Sequence, residues 1–182
     1  NINKYLLVVY HSVTEEYYNT QKNFTSFFNA LKKIDIPKIW IMPNNDAGSS
    51  IIKNEILKKR ENDISIFDNL SREKYLYLLK NATSIVGNSS SGIIEAPTFK
   101  IPCVNIGRRQ NKRLRAKNVI DVDTHDKNKI ISAIKKSMSK NFRKKLKKMV
   151  NPYGDGNSSK KIIDILVKTN VDKELLFKEI TY

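Results

Sequence analysis

Ser84-Ile85-Val86-Gly87-Asn88-Ser89-Ser90-Ser91-Gly92-Ile93-Ile94-Glu95 decides the fold. Three apolar or small residues of strand type run into a glycine, a polar turn and then a stretch with helical spacing, so the segment reads as strand, tight turn, helix. Gly87 and Gly92 permit close backbone approach, and Ser89, Ser90 and Ser91 set hydroxyls beside the unpaired N–H groups of a first helical turn. Two readings stay open. Either one serine caps the helix, as serine commonly does, or the hydroxyls and amides together cradle an anion such as a diphosphate. Glu95, about one turn further on, is placed either to complement the helix dipole or to accept the paired hydroxyls of a ribose.

The same alternation extends in both directions. Strand-length apolar runs at 5–11, 38–43, 64–68, 84–88, 102–107 and 118–121 are separated by segments of helical period near 19–34, 49–60, 72–81, 90–96, 127–138, 141–150 and 157–168. Strands alternating with helices predict an α/β chain, a Rossmann-like three-layer domain with a parallel sheet. Residues 1–168 are expected to form that domain, with 169–182 a tail or helix. Ligands of such sheets bind beyond the carboxyl ends of the strands, which directs attention to the loops at 11–14, 43–50, 68–71, 87–92 and 107–115.

Composition narrows the function classes. With 182 residues, 40% of them hydrophobic, the chain is long enough for one buried core. No apolar stretch approaches the roughly 20 residues that cross a bilayer, and the opening residues before Tyr5 lack the cleavage pattern of a secretory signal. The first residue is Asn1, not Met, and structured sequence begins at once, as expected of a piece of a longer polypeptide. The lone Cys103 admits no internal disulfide and lies in a strand-like run, which fits a reducing cytoplasm. A formal net charge of +16 suggests polyanion binding, but the cations are spread through the chain. The one dense block, 135–148, carries Met138, Phe142 and Leu146 at helical spacing and is read as a solvated helix face. No nucleic acid and no membrane is therefore expected as a partner, and a basic binding module remains the non-enzymatic alternative.

Gly87-Asn88-Ser89-Ser90-Ser91-Gly92-Ile93-Ile94-Glu95-Ala96-Pro97 is followed by Ile101-Pro102, by Val104-Asn105-Ile106-Gly107 with Arg109-Gln110, by Arg115 and Asn118-Val119-Ile120-Asp121-Val122, and by Asn151-Pro152-Tyr153-Gly154-Asp155-Gly156. This pattern resembles the C-terminal domain of UDP-N-acetylglucosamine 2-epimerases over nearly the whole chain, to about Lys168. The triple serine and the Arg-Gln pair are closer to the hydrolysing branch, which includes enzymes of sialic and legionaminic acid synthesis. The resemblance implies the C-terminal half of a two-domain GT-B architecture. It implies a UDP-sugar as partner, with UDP as substrate moiety and product, no cofactor and no metal, and a homodimer in the full-length enzyme.

Carried over residue by residue, it implies nucleotide contacts at His11, Asn44, Asp46, Leu70, Ser89, Ser90, Gly92, Glu95 and Arg109. His11 would touch the departing phosphate as a cationic or donor imidazole, and Leu70 would pack against the base while its backbone reads the base edge. Each also has a plainer reading. A histidine ending a strand is commonly structural, Asn44 and Asp46 fit ordinary turn chemistry, and Arg109 could be one more surface cation. The family usually has proline after the histidine, whereas Ser12 stands here and predicts a looser loop. His125 has no motif around it and reads as a surface residue, and Asp155 and Gly156 read as a turn before the last helix. The acids and bases of the family reaction, proton removal at C2 with expulsion of UDP and then addition of water, belong to an N-terminal domain this sequence lacks. The chain alone is thus expected to bind UDP without turnover. A glycosyltransferase of the same architecture is the enzymatic alternative.

Overall fold

The computed structural model describes residues 4–59 and 62–177. All six expected strands form: β1 (Leu6–Val9), β2 (Lys38–Ile41), β3 (Ile64–Phe67), β4 (Ser84–Gly87), β5 (Cys103–Ile106) and β6 (Val119–Val122). They make one parallel sheet in the order β3-β2-β1-β4-β5-β6. Leu6 pairs with Lys38 on one side and Ser84 on the other, so β1 is central and the order reverses between β1 and β4. In a doubly wound sheet that reversal opens a crevice at the carboxyl edge.

Both faces of the sheet are covered, as parallel strands require. Leu6, Val8, Tyr10, Trp40, Val86 and Val104 face helices α1 (Thr20–Leu31), α2 (Ser49–Lys58) and α5 (Lys127–Met138). Tyr5, Leu7, Val9, Ile39, Ile85 and Cys103 face Leu79 of α3 (Arg72–Asn81) together with Ala82 and Ala96. Helix α1 carries Phe24, Phe27, Phe28 and Leu31 on one stripe, the spacing of an amphipathic helix. Three of these rings surround the fully buried Trp40, whose centroid lies 5.8 Å from that of Phe24, 5.9 Å from that of Phe27 and 5.8 Å from that of Phe28.

Three helices are shorter than the periodicity predicts, among them α1, which ends at Leu31 and not near 34. Helix α4 is only Ser91–Ile94, because 3₁₀-type bonds from Thr98 N–H to Glu95 and from Phe99 N–H to Ala96 take over before Pro97 can be followed by more helix. Helix α6 is Lys140–Leu146, after which Met149 anchors the chain beside Ala116 and Leu146. Most of the cationic block from Lys135 to Lys148 is exposed. Arg143 donates to the carbonyl of Thr83, just before β4, and Lys100, just before β5, donates to the carbonyl of Lys147. The block therefore sits at the amino edge of the sheet, opposite the crevice.

The chain divides into two compact units, one up to Pro152 and one from Tyr153 onward. The second holds α7 (Ser158–Lys168) and α8 (Lys173–Leu176). Sequence reading groups the segment up to 168 with the sheet; α7 instead goes with the second unit, and none of its residues is buried. Within that unit Asp155 accepts from Asn157 N–H at 3.0 Å. That bond is the main cause holding its carboxyl down at about 2, which is the turn chemistry expected of Asp155. The expected tail at 169–182 is described only to 177. Among the described residues no helix is long and apolar enough to cross a membrane, and no His, Cys, Asp and Glu side chains gather into a metal-binding group.

Candidate functional site

Beyond the carboxyl ends of β1, β2, β4 and β5 lies a cavity of about 680 Å³, lined by residues 12–16, Asp46, Ser90 and residues 108–113. Its organiser is Asn88, the residue that closes β4. Asn88 is 1% exposed, and every polar group it has is engaged. Its N–H donates to Val9, its Oδ1 accepts the His11 N–H at 2.7 Å, and its Nδ2 donates to the His11 carbonyl at 2.8 Å. Its own carbonyl accepts Gln110 Nε2 at 2.8 Å and Arg109 at 3.4 Å. One side chain and its backbone thus join the loops after β1, β4 and β5.

The loop after β2 closes onto the same place. Asn44 N–H donates to His11 Nδ1 at 3.2 Å, Asn44 Nδ2 donates to Asp46 at 2.6 Å, and Asp46 lies 3.5 Å from the Arg109 guanidinium. The asparagine bond is the leading cause that holds the Asp46 carboxyl below its ordinary value. Ser12 does not loosen this turn: it is buried at 2% exposure, and its hydroxyl reaches the Asp46 carbonyl at 3.5 Å. Asp46, Ser90 and Arg109 therefore line one cavity, and His11 and Asn44 are tied to that lining through their bonds to Asn88 and Asp46.

Burial first, and then Arg109, push the His11 pKa down to about 4. The imidazole is neutral at pH 7. Because Nδ1 accepts from Asn44, the proton resides on Nε2, which leaves a donor. In this site the imidazole is therefore a neutral donor and not a cation.

His125 is also corrected. It is no free surface residue, since it is half-buried, its Nε2 lies 2.9 Å from the Tyr10 hydroxyl, and its ring fills the space a side chain at Gly107 would need. Burial lowers its pKa as well. Both imidazoles thus take up a proton at lower pH in the folded chain than in the unfolded one. Stability is full above the unfolded value of about 6.5 and falls as pH drops toward 4, with His11 alone worth about 2 kcal/mol at pH 5. Urea unfolding at pH 7 and pH 5 should show this loss, and His11→Asn should remove most of it; equal losses in the two proteins would refute the assignment.

The serine turn is arranged differently from a plain helix cap. Ser91 is buried, and its Oγ takes a 2.6 Å bond from the Tyr75 hydroxyl. Ser89 Oγ accepts the Ser91 N–H at 3.3 Å. Ser90 lines the cavity, and among the described residues the backbone N–H groups of Ser89 and Ser90 meet no acceptor. With four residues, α4 contributes little macrodipole, so anion affinity at this turn must come from individual donors.

Gly92 has a different reason from the one its place in the motif suggests. A Cβ there would lie 2.4 Å from Cys103 Sγ. The glycine lets α4 pack on β5. Gly87 likewise lets β4 approach β1 closely, since a Cβ there would meet the Val9 carbonyl.

Leu70 and Glu95 lie apart from the cavity lining. Leu70 faces a separate apolar cavity of about 480 Å³ with Phe67, Tyr77 and Leu78, and its N–H is taken by Asn69 Oδ1 at 2.8 Å. Glu95 accepts from Arg72 at 3.0 Å, so the loop after β3 is joined to the serine turn through a contact whose arginine is 75% exposed. Asn88, Gln110 and Arg72 carry no assignment from the sequence. The signal for Asn88 is its place as the first polar residue after a buried strand.

The loop over 108–113 is fixed from behind. Arg115 holds Asp121 through Nε at 3.2 Å and donates to the Arg113 carbonyl, while Asn105 Nδ2 donates to Asp121 at 2.7 Å.

A crevice of this kind at the reversal point of a parallel sheet matches known proteins. The family model described as UDP-N-acetylglucosamine 2-epimerase covers residues 1–167. The chain belongs to that family. It is 43% identical over 145 residues to the GDP/UDP-N,N'-diacetylbacillosamine 2-epimerase (hydrolyzing) of Campylobacter jejuni, covering 75% of this chain and 36% of the relative. It is 35% identical over 177 residues to the UDP-N,N'-diacetylbacillosamine 2-epimerase (hydrolyzing) of Legionella pneumophila, covering 96% and 45%. The polysialic acid biosynthesis protein P7 of Escherichia coli is 32% identical over 160 residues, covering 86% and 41%. The chain thus spans less than half the length of these relatives.

Among solved structures, the UDP-GlcNAc 2-epimerase of Neisseria meningitidis bound to UDP-GlcNAc superposes with a TM-score of 0.75 at 17% identity, covering 93% of this chain and 46% of that one. The Methanocaldococcus jannaschii enzyme in complex with UDP-GlcNAc and UDP gives 0.69 at 21%, covering 91% and 46%. At such identities the likeness establishes the shared fold, the Rossmann-like half of a GT-B-type epimerase.

Proposed function

We propose that this chain is the nucleotide-binding half of a hydrolysing UDP-sugar 2-epimerase, holding UDP in the crevice at the carboxyl edge of the sheet. The observation that carries the reading is the pair of unmatched N–H groups at Ser89 and Ser90, next to the cavity that Ser90 and Arg109 line. Ser89 and Ser90 are part-exposed, so their two free donors at a crevice, with a guanidinium near, suit a diphosphate. The donor Nε2 of His11 would meet negative charge developing on the leaving UDP. Glu95 would take the ribose hydroxyls, with the base running toward the loop that holds Leu70.

The relatives named for hydrolysing epimerases and for polysialic acid synthesis support a UDP-linked N-acetylamino sugar as substrate. On the same reading the product is an N-acetylmannosamine-type sugar for sialic or legionaminic acid synthesis, made without a cofactor in the cytoplasm. On this reading the acid and base groups reside in an N-terminal domain, and turnover needs both halves and domain closure. The exposed Leu175, Leu176 and Phe177 would pack on that domain, and the full-length enzyme would be a homodimer. The lysine-rich face, at the other edge of the sheet from the cavity, is read as a solvated surface and not as a polyanion site.

Calorimetric titration of the chain with UDP and GDP tests the reading. UDP should bind, and Glu95→Ala should weaken it about tenfold, the scale of lost hydrogen bonds to a charged group. Arg72→Ala should change it by less than about threefold, because its ion pair is largely exposed. A chain that binds neither nucleotide would overturn the proposal.

A further inference from the structure

The lining of the same cavity includes a carboxylate that nucleotide binding leaves unused. Glu16 lies in the 3₁₀ turn Thr14–Asn19, at a residue whose backbone leaves helical geometry (φ −110°, ψ 19°). That kink delivers its side chain to the cavity lined by Ser90, Asp46 and Arg109. Asn23 Nδ2, on α1, donates to its Oε2 at 3.0 Å. One oxygen is thereby fixed, and the other keeps its acceptor capacity.

The lining also holds Arg108, Arg109, Lys112 and Arg113. Even so, among the described residues no lysine or arginine closes an ion pair with Glu16. In a chain of net charge +16 a half-buried carboxylate held by an amide, and not by a cation, is preserved as an acceptor.

Position decides what it would accept from. Glu95 lies outside the cavity lining and Ser90 within it, so a nucleotide laid from Glu95 across the serine turn would enter the cavity with its diphosphate. The sugar comes next after the second phosphate, and Glu16 is among the residues lining the space it would enter. We propose that Glu16 is a sugar-recognition residue, accepting hydrogen bonds from the hydroxyl and acetamido N–H groups of the diphosphate-linked amino sugar. This rests on the nucleotide-binding reading above. A carboxylate there also repels the terminal phosphate of free UDP, which carries more negative charge than the esterified phosphate of a UDP-sugar. The residue therefore discriminates between substrate and product nucleotide.

The test is the ratio of two dissociation constants, for UDP and for UDP-N-acetylglucosamine, measured on the wild-type chain, Glu16→Gln and Asn23→Ala. Glu16→Gln keeps an acceptor for Asn23, so the turn stays folded. It should weaken the UDP-sugar about tenfold, the scale of a charged hydrogen bond, and leave UDP unchanged or tighter. Asn23→Ala, which frees the carboxylate from its tether, should shift the ratio in the same direction by a smaller factor. If both ligands weaken in parallel, Glu16 only braces the turn, and the inference is wrong; an unchanged ratio is equally fatal to it. Failure of the wild-type chain to bind UDP would remove both readings, whereas UDP binding with an unmoved ratio removes this one alone.

Discussion

Asn88→Ala is expected to lower stability by about 3 kcal/mol, since two backbone groups in a dry site each lose a partner at a cost of roughly 1–3 kcal/mol. Those groups are the N–H and C=O of His11, which the asparagine side chain holds at 2.7 Å and 2.8 Å. At 1% exposure the position admits little water to replace it. The substitution keeps the backbone carbonyl that receives Gln110 and Arg109, so the loop over 108–113 retains its anchor and the damage concentrates on the His11 turn. UDP affinity should then fall by at least about tenfold, the cost of losing a well-placed charged contact. Asn88→Asp offers a sharper comparison. It preserves the acceptor for the His11 N–H but sets an oxygen against the His11 carbonyl, so it should be no more stable than the alanine variant at pH 7. Urea midpoints for the three proteins decide the matter. A loss below about 1 kcal/mol for alanine, the low end of that range, would mean that the turn is held by something else.

Legibility in the sequence tracks the range of the interactions. The strands are legible because a parallel strand covered on both faces is a short aliphatic run, and Leu6–Val9 and Ile85–Val86 need nothing distant to be recognised. The serine turn is legible for the same reason, as a change from apolar to small polar residues within one segment. Helix α4 is overestimated because its end is set by the 3₁₀ bonds around Pro97, which periodicity does not register. Partners far apart in the chain are invisible. His125 reads as an isolated surface histidine until Tyr10, 115 positions away, is found on its ring. Gly92 reads as part of a phosphate loop until Cys103 is seen where its side chain would go. The neutral state of His11 depends on burial and on Arg109, neither of which a strand-end histidine announces. Asn88 stands in plain view within the serine motif, yet an asparagine in a polar turn looks like ordinary turn chemistry until its partners after β1 and β5 are found in space.

The glycine before it sets the largest expected effect. Gly87 has φ +141°, and a Cβ at that position would lie 2.0 Å from the carbonyl oxygen and 2.7 Å from the carbonyl carbon of Val9. Those atoms are backbone of the central strand, so no side chain can rotate to make room. Gly87→Ala must therefore part β4 from β1 at their carboxyl ends and break the bond from Asn88 N–H to Val9. The strained conformation alone costs on the order of 1–3 kcal/mol, and the lost bond and displaced strand bring the expected total to about 4 kcal/mol or more. In a chain of this size that is a fall of at least about 10 °C in Tm, or loss of a cooperative transition altogether. Gly156→Ala separates the two causes. Gly156 has φ +89° but nothing within 4 Å of the added carbon, so it should cost only the backbone term of about 1 kcal/mol. If the two variants melt together, the tight approach of β4 to β1 is not what the glycine is for. If Gly87→Ala is much the weaker protein, the site begins with that contact, because the same step that lets the strands close carries Asn88 onto His11.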